Sequence, residues 1–335
     1  MASLVTGLLC LIALGSYTFS VFNQKYQGPN ATFVVENGDT FGKINQRLFN
    51  QGFISHTRFF HYFTKYKNEM TKFRAGSYTI NSGSTMPQVL HSLVHGQPNL
   101  SSITVPEGKN MYEVAKILSA ANITDEKEFL EMVQNPEVIA QFNISASSLE
   151  GYLYPETYRF APQTPAKVVV KTMIDLFNRK VAPLSFEHPF LNKHQVIILA
   201  SMVEKETGAK SERPAIAGVF TNRLKKRMRL ESDPTTIYGI WSRYTGNIKK
   251  SDLQEVTPYN TYKIPALPQG PISNPSLEAI QAVLNPETHE FLFFVSKNDG
   301  THVFTKNYGD HTQAVDSFQR NSSARKGKSW RNLKQ

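Results

Sequence analysis

The stretch LASMVEKETG, Leu199 to Gly208, ends an apolar series on two glutamates, Glu204 and Glu206, just before a glycine. A carboxylic acid at such a place can do proton chemistry if its surroundings keep it protonated near neutral pH. Taken as a helix at about 100° per residue with Val203 at zero, Val196, Leu199 and Ala200 fall at about +20°, −40° and +60° and define an apolar face. Glu206 then lies at about −60°, beside Leu199, and Glu204 at about +100°. Glu206 is the better placed for partial burial. Burial and the negative end of the helix, which Gly208 should close, both disfavour the ionised form and raise the pKa. A protonated carboxyl is what cleavage of a glycosidic bond requires at the leaving oxygen. Geometry alone leaves a second reading open, that of a solvated Glu-Lys-Glu helix end.

Most enzymes that cut glycosidic bonds use two carboxylates, whose separation selects inversion or retention. Glu150, Glu156, Glu231 and Asp233 are candidates for a second, so a two-acid hydrolase also stays open. The single cysteine, Cys10, lies in the N-terminal apolar segment, which denies the folded part a disulfide, a thiolate nucleophile and a metal site built on sulfur. No cofactor and no metal site are expected.

The elements that must position these acids can be read from apolar spacing. After a polar connector, TFVVENGDTFGKINQRLFNQGFI reads as a strand, a Gly-Asp turn and a helix with Phe41, Ile44 and Leu48 on one face. A second helix, HTRFFHYFTKYKNEM, a hairpin-like FRAGSYTINSGST and a helix around Met86 to Leu93 complete a small α+β module over 25–97. A second small α+β unit, 98–161, opens with a strand, a Pro-Glu-Gly turn and a helix bearing Met111, Val114, Ala115 and Leu118, and continues into a helix capped by Asp125. From 162 to 317 the patterns lengthen into helices, among them SERPAIAGVFTNRLKKRM with Ser211 as N-cap and Pro214 in the first turn. A proline-rich irregular stretch, YKIPALPQGPISNPS, and a short β hairpin turning at Asn298, Asp299 and Gly300 follow.

The 335 residues carry a net charge of +10, with 40% hydrophobic and 19% charged residues, a composition of folded protein. Residues 318–335 form a basic tail that fits nucleic acid, anionic lipid or an acidic polymer equally well. Nothing else supports nucleic acid: neither zinc-finger spacing nor the aromatic strand signature of an RNA-binding sheet is present. Residues 1–24 are free of charged side chains after Met1 and reach the roughly 20 residues that a bilayer crossing needs. They predict an uncleaved single-pass anchor, with the orientation left undecided by the distribution of Lys and Arg.

Seven stretches in order resemble the endolytic murein transglycosylase family, also called the YceG-like or MltG family. They are VPEG (105–108), LEGYLYPETY (149–158), ASMVEKET (200–207), SERPAIAGVFTNRL (211–224), MRLESDPTTIYG (228–239), PYNTY (258–262) and GPISNP (270–275). The resemblance implies an enzyme held in the cell inner (cytoplasmic) membrane and facing the periplasm or cell wall. It also implies a LysM-like module over 25–97, a catalytic domain over 162–317, peptidoglycan glycan strands as substrate and association with peptidoglycan synthases. It places the catalytic acid at Glu206, beside Thr207. The reaction it implies is a lyase reaction that cuts the MurNAc-GlcNAc bond and leaves 1,6-anhydro-MurNAc ends. Glu150, Tyr152, Glu156, Asn222, Asp233, Tyr238, Tyr259, Asn260 and Tyr262 fall in the matching motifs as substrate-binding candidates, and flat tyrosine faces suit sugar rings.

The sequence departs from the family pattern at ALPQG (266–270), at NPS (274–276) and at KNYGDH (306–311), which affects loop shape and leaves the acid in place. The uncharged N-terminus also departs from it and predicts a few cytoplasmic residues upstream of Met1. Two other functions compete: a muramidase-type hydrolase, which would leave reducing ends, and a non-catalytic wall-binding scaffold, which would not need Glu206.

Overall fold

The computed structural model describes residues 2–320 except Asn37, Asn99, Thr207 and Gly208, with the side chains of 2–5 and 7–11 also outside the description. The expected closing glycine of the Glu206 helix, the Thr207 beside it and most of the basic tail therefore lie outside the described residues. The molecule is mixed α+β, mostly helical, with its strands in three two-stranded sheets. The chain divides into two compact units. The first takes the chain through Ile103 with Ser119–Thr124 and Tyr158–Val168, and the second takes Thr104–Leu118, Asp125–Thr157 and the chain from Val169 on.

In chain order the elements begin with α1 (Ala2–Asn23), β1 (Ala31–Val35), α2 (Phe41–Asn50), α3 (Thr57–Tyr66), β2 (Gly76–Ile80) and α4 (Met86–Val94). β1 and β2 pair antiparallel, from Ala31 opposite Ile80 to Val35 opposite Gly76. Period-two alternation puts Phe33 and Val35 inward, onto Ile44, Leu48, Phe60, Leu90 and Leu93. The hairpin expected in FRAGSYTINSGST is corrected. Only Gly76–Ile80 forms a strand, because its hydrogen-bonding edge is taken by β1, more than forty residues earlier. Among the described residues no helix is long and apolar enough to cross a membrane. The C-terminal part of α1 nevertheless buries Val21 in this core while leaving Ile12, Leu14, Tyr17 and Phe19 exposed.

Next come β3 (Ser101–Thr104), α5 (Met111–Ala120), α6 (Glu126–Gln134), α7 (Pro136–Ala140), β4 (Thr157–Phe160) and α8 (Ala166–Val181). β3 pairs with β4. The expected cap on α6 is present, with Asp125 Oδ1 accepting from the N–H groups of Lys127 and Glu128 at 2.9 and 3.0 Å. The remaining helices are α9 (Lys193–Glu206), α10 (Arg213–Lys225), α11 (Asp233–Gly239), α12 (Lys250–Gln254), α13 (Leu277–Leu284) and α14 (Tyr308–Val315). The hairpin of β5 (Phe293–Ser296) and β6 (His302–Thr305) turns at the expected residues, with Asn298 and Gly300 both at positive φ.

α9 is the axis of the second unit and packs on α10, α11 and α13. Its apolar face is wider than the wheel implied. All residues from Val196 to Val203 are buried, so the helix is enclosed on every side. Each large side chain there contributes about 1.5–3 kcal/mol of burial, which lets the helix carry carboxylates inward at its end. The one polar residue of that run, Ser201, is satisfied. Its hydroxyl donates to the Ile198 carbonyl at 2.6 Å and accepts from the Ile272 N–H at 3.0 Å, which pins the proline-rich stretch to α9. Ser211 does not cap α10 as expected. A 3-10 turn at Lys210–Glu212 precedes the helix, and Pro214 sits in its first turn.

Candidate active site

The two glutamates of α9 point to opposite sides, as their separation of about 200° around a helix requires. Glu204, placed by the wheel on the outer side, is in fact enclosed, with 5% of its side chain exposed. Its Oε1 accepts from Arg213 Nη2 at 2.6 Å, and its Oε2 accepts from the N–H and hydroxyl of Ser276 at 3.0 and 2.5 Å. Every polar contact of this acid is internal, and its charge is matched by a guanidinium that is itself only 4% exposed.

Glu206 has no cation in direct contact among the described residues. Its Oε1 accepts a short hydrogen bond from the Ser232 hydroxyl. Burial pushes its carboxyl up to about 7, opposed by the Ser232 bond, with the nearby Asp233 charge raising it further and Arg223 lowering it. The residue as a whole keeps partial exposure at the end of α9, while its carboxyl is enclosed. A carboxyl that titrates near neutrality is suited to general acid catalysis.

The hydroxyl that orients Glu206 is itself fixed. The Ser232 N–H donates to Thr261 Oγ1 at 3.0 Å, and the Thr235 hydroxyl donates to the Ser232 carbonyl at 2.6 Å and bonds Thr261 Oγ1 at 2.8 Å. Arg223 braces the loop before it, donating to the carbonyls of Arg229 and Leu230 at 3.1 Å each and to Leu292 at 2.6 Å. Ser232 and Arg223 act on the Glu206 carboxyl, by a hydrogen bond and by charge, which the sequence reading missed. Ser232 stands in the quoted MRLESDP motif between Glu231 and Asp233, the two acids on which the sequence reading rests there.

Of the predicted substrate-binding residues, Asp233 and Tyr262 gather around Glu206, with the Tyr262 hydroxyl donating to Asp233 Oδ1 at 2.8 Å. Burial, then the Asp233 charge, raises the Tyr262 phenol. Glu150 and Tyr238 form a separate, fully internal cluster. Glu150 is wholly buried and accepts from the Met111 N–H at 2.8 Å, the Tyr238 hydroxyl at 2.9 Å and Asn274 Nδ2 at 3.0 Å. Burial lifts it to about 8 against the Met111 and Tyr238 bonds. Tyr259 tilts against Tyr238 with ring centroids 4.7 Å apart.

The other candidates stand elsewhere. The Tyr152 hydroxyl pairs with His194 Nδ1 at 2.8 Å beneath α9. Asn222 donates to the carbonyls of His289 and Phe291 at 2.8 and 3.1 Å, joining α10 to the segment before β5. Asn260 is fully buried and donates to the carbonyl of Glu255 at the end of α12. Glu156 faces solvent opposite Lys180 at 3.5 Å. Among the described residues no group of three or more His, Cys, Asp or Glu is arranged to hold a metal ion.

Asn274, which the sequence reading also passed over, ties three motif stretches together. Its Oδ1 accepts from the N–H groups of Gly151 and Leu153 at 2.9 Å each, while Nδ2 donates to the Lys109 carbonyl and to Glu150. Gly151 is required there: it has φ +87°, and a Cβ would lie 2.6 Å from Pro271 Cγ. Asn274→Ala is expected to cost about 2–3 kcal/mol by leaving buried N–H groups without acceptors. Urea titration followed by circular dichroism measures it.

A buried helix that ends on an enclosed carboxyl, raised to about 7 and held by a serine hydroxyl, is an arrangement suited to general acid catalysis. The chain belongs to the YceG-like family, whose model matches residues 33–317. It is 32% identical over 305 residues to an endolytic murein transglycosylase of Bacillus subtilis, covering 85% of this chain and 83% of that protein. It is 27% identical over 318 residues to an endolytic murein transglycosylase of Streptococcus pneumoniae, covering 85% of this chain and 57% of that longer protein. Among solved structures, a YceG-like protein of Listeria monocytogenes superposes with a TM-score of 0.59 at 28% identity, over 85% of this chain and 98% of that one.

Proposed function

We propose that the chain is an endolytic murein transglycosylase that cuts the glycan strands of peptidoglycan and uses Glu206 as its acid and base in turn. The observation that carries this is the Glu206 carboxyl itself, raised to about 7 by burial and oriented by Ser232. In the first step its proton passes to the oxygen between the muramyl C1 and the next glucosamine, and that bond breaks. In the second, the new carboxylate takes the proton from the muramyl C6 hydroxyl, and O6 closes on C1 to give a 1,6-anhydro end. The proton is returned to Glu206 and no water is consumed. One carboxylate suffices because the nucleophile belongs to the substrate and is already in place.

Mass spectrometry of glycan strands digested by the enzyme tests this reading, with anhydro ends expected. Reducing ends would instead favour hydrolysis with Asp233 as the second carboxylate, the neighbour whose charge acts on Glu206. The proton-donor role also sets a pH profile. Activity should fall above about pH 7 as Glu206 ionises. Asp233→Asn removes a like charge and should move that limb to lower pH. Ser232→Ala removes a bond that favours the ionised form and should move it higher. Steady-state rates across pH 5–9 check both directions, and limbs that fail to separate would sink the assignment.

The reading extends to location. The exposed Ile12, Leu14, Tyr17 and Phe19 of α1 support a helix held in the cytoplasmic membrane, with the catalytic part facing the wall. The β1-α2-α3-β2 order supports a LysM-like role in holding peptidoglycan. Association with peptidoglycan synthases follows from the shared substrate.

A further inference from the structure

Past Ser232, α11 carries the chain to a row of aromatic rings that no step above uses. Tyr112, in the first turn of α5, lies nearly parallel to Trp241, with 14° between planes and 5.9 Å between centroids. Trp241 in turn stacks on Tyr244 at 6.4 Å and 29°. Ring faces in full contact stand about 3.5–4 Å apart, so these rings are offset and part of each face stays open. All three are partly exposed, whereas Tyr238 behind them is buried at 7%.

The row is held rigidly. Trp241 opens a 3-10 turn, Trp241–Arg243, whose Arg243 bonds Asp252 at 2.9 Å and also Glu255, anchoring the turn to α12. Asp252 is 5% exposed and caps α12 through the Lys249 N–H at 2.8 Å. At Gly239 a Cβ would lie 2.5 Å from Thr257 Oγ1, so the backbone entering the turn is pressed onto the 257–259 segment. Polar groups flank the rings. Glu113 follows Tyr112 in sequence and pairs with Lys109 at 2.6 Å, both still reachable by solvent.

We propose that Tyr112, Trp241 and Tyr244 form a glycan subsite that takes the apolar faces of pyranose rings from the same strand that Glu206 cuts. The proposal rests on the transglycosylase reading. α11 supplies the spacing: its seven residues, about 10 Å of helix, lie between Ser232, on the acid, and the Ile240–Trp241 turn, a span comparable with a disaccharide unit. Rigid aromatic side chains lose little conformational freedom when they meet a ligand, and pyranose rings present flat C–H faces with hydroxyl and acetamido groups at the edge. Those edge groups match the Lys109 and Glu113 rim.

The test uses the full chain carrying Glu206→Gln and Trp330→Phe, so that Trp241 is the only tryptophan and strands are bound without being cut. Purified glycan strands should quench Trp241 fluorescence in a saturable way. Tyr112→Ala in that background should weaken binding by about tenfold, the loss of one aromatic contact. In otherwise wild-type enzyme, Trp241→Ala should raise KM for glycan strands by a similar factor, with the loss falling on KM rather than kcat, and Trp241→Phe should restore most of it. If Trp241→Ala fails to fold, Tyr244→Ala is read in the same two assays. Unchanged affinity and KM in the folded variants would overturn the subsite and leave the cleavage chemistry standing. Strands bound at this row with no anhydro ends in wild-type digests would overturn the transglycosylase reading while the subsite held.

Discussion

Glu206→Gln is expected to fold, to bind glycan strands and to cut them about 10²–10⁴-fold more slowly, the contribution of a positioned acid and base. Glutamine keeps the shape and keeps an oxygen to accept the Ser232 bond, but it has no proton to give to the leaving oxygen. The same change should stabilise the protein at alkaline pH. A carboxyl whose folded pKa lies near 7 rather than 4.5 binds its proton more tightly in the native state. Its contribution is therefore fully present below about pH 4.5 and is lost as pH rises through about 7. At pH 8 the glutamine variant should exceed wild type by on the order of 2 kcal/mol, while at pH 5 that advantage shrinks. Paired urea titrations at the two pH values, with mass spectrometry of digested strands, check both halves. Undiminished cleavage would remove Glu206 from the mechanism, and a pH-independent stability difference would mean that its carboxyl is not held protonated.

The enclosure of Glu206 was legible because two local signals agreed there: the apolar spacing of α9 and its place at the helix end. Elements defined by short-range pattern were legible too, such as the Asp125 cap and the hairpin at Asn298 to Gly300. What one stretch could not show was partnership across the chain. β2 reads like half of a hairpin, yet it pairs with β1 across two helices, a choice made by the shared core of Phe33, Tyr78 and Ile80. The helical wheel ranked Glu204 as the more exposed acid because it contains no information about Arg213 or Ser276, which arrive from later elements to enclose it. Ser232 was hidden for the same reason, since its value lies in meeting a residue twenty-six positions earlier. Glu150 and Asn274 were hidden as a pair. The motifs containing them are far apart in sequence, and their joint task of holding three loops together exists only in the fold.

The neighbouring glutamate gives the opposite expectation. Arg213→Ala should destabilise the protein by about 3–5 kcal/mol, the loss seen when one partner of a buried ion pair is removed and the other charge is stranded. Glu204 would keep only the Ser276 N–H and hydroxyl for a carboxylate that solvent hardly reaches. Arg213 also stands 3.5 Å from Glu107 in the VPEG turn, so the change should loosen that turn against α9 as well. Glu204→Ala leaves the guanidinium only the longer contact to the more exposed Glu107 and should also be strongly destabilising. The double variant Arg213→Ala with Glu204→Ala leaves neither charge unpaired and should cost less than the two single losses summed, which makes the coupling measurable in a double-mutant cycle. Because the Glu204 oxygens are bound inward, Glu204→Gln should retain most cleavage per folded molecule, where Glu206→Gln retains almost none. Two carboxylates separated by a single lysine are thereby assigned to different tasks. One holds the start of α10 and the 276 turn to α9, and the other, in the proposed reaction, gives its proton to the substrate. Equal loss of cleavage in the two glutamine variants, at equal folded fraction, would show that this division is wrong.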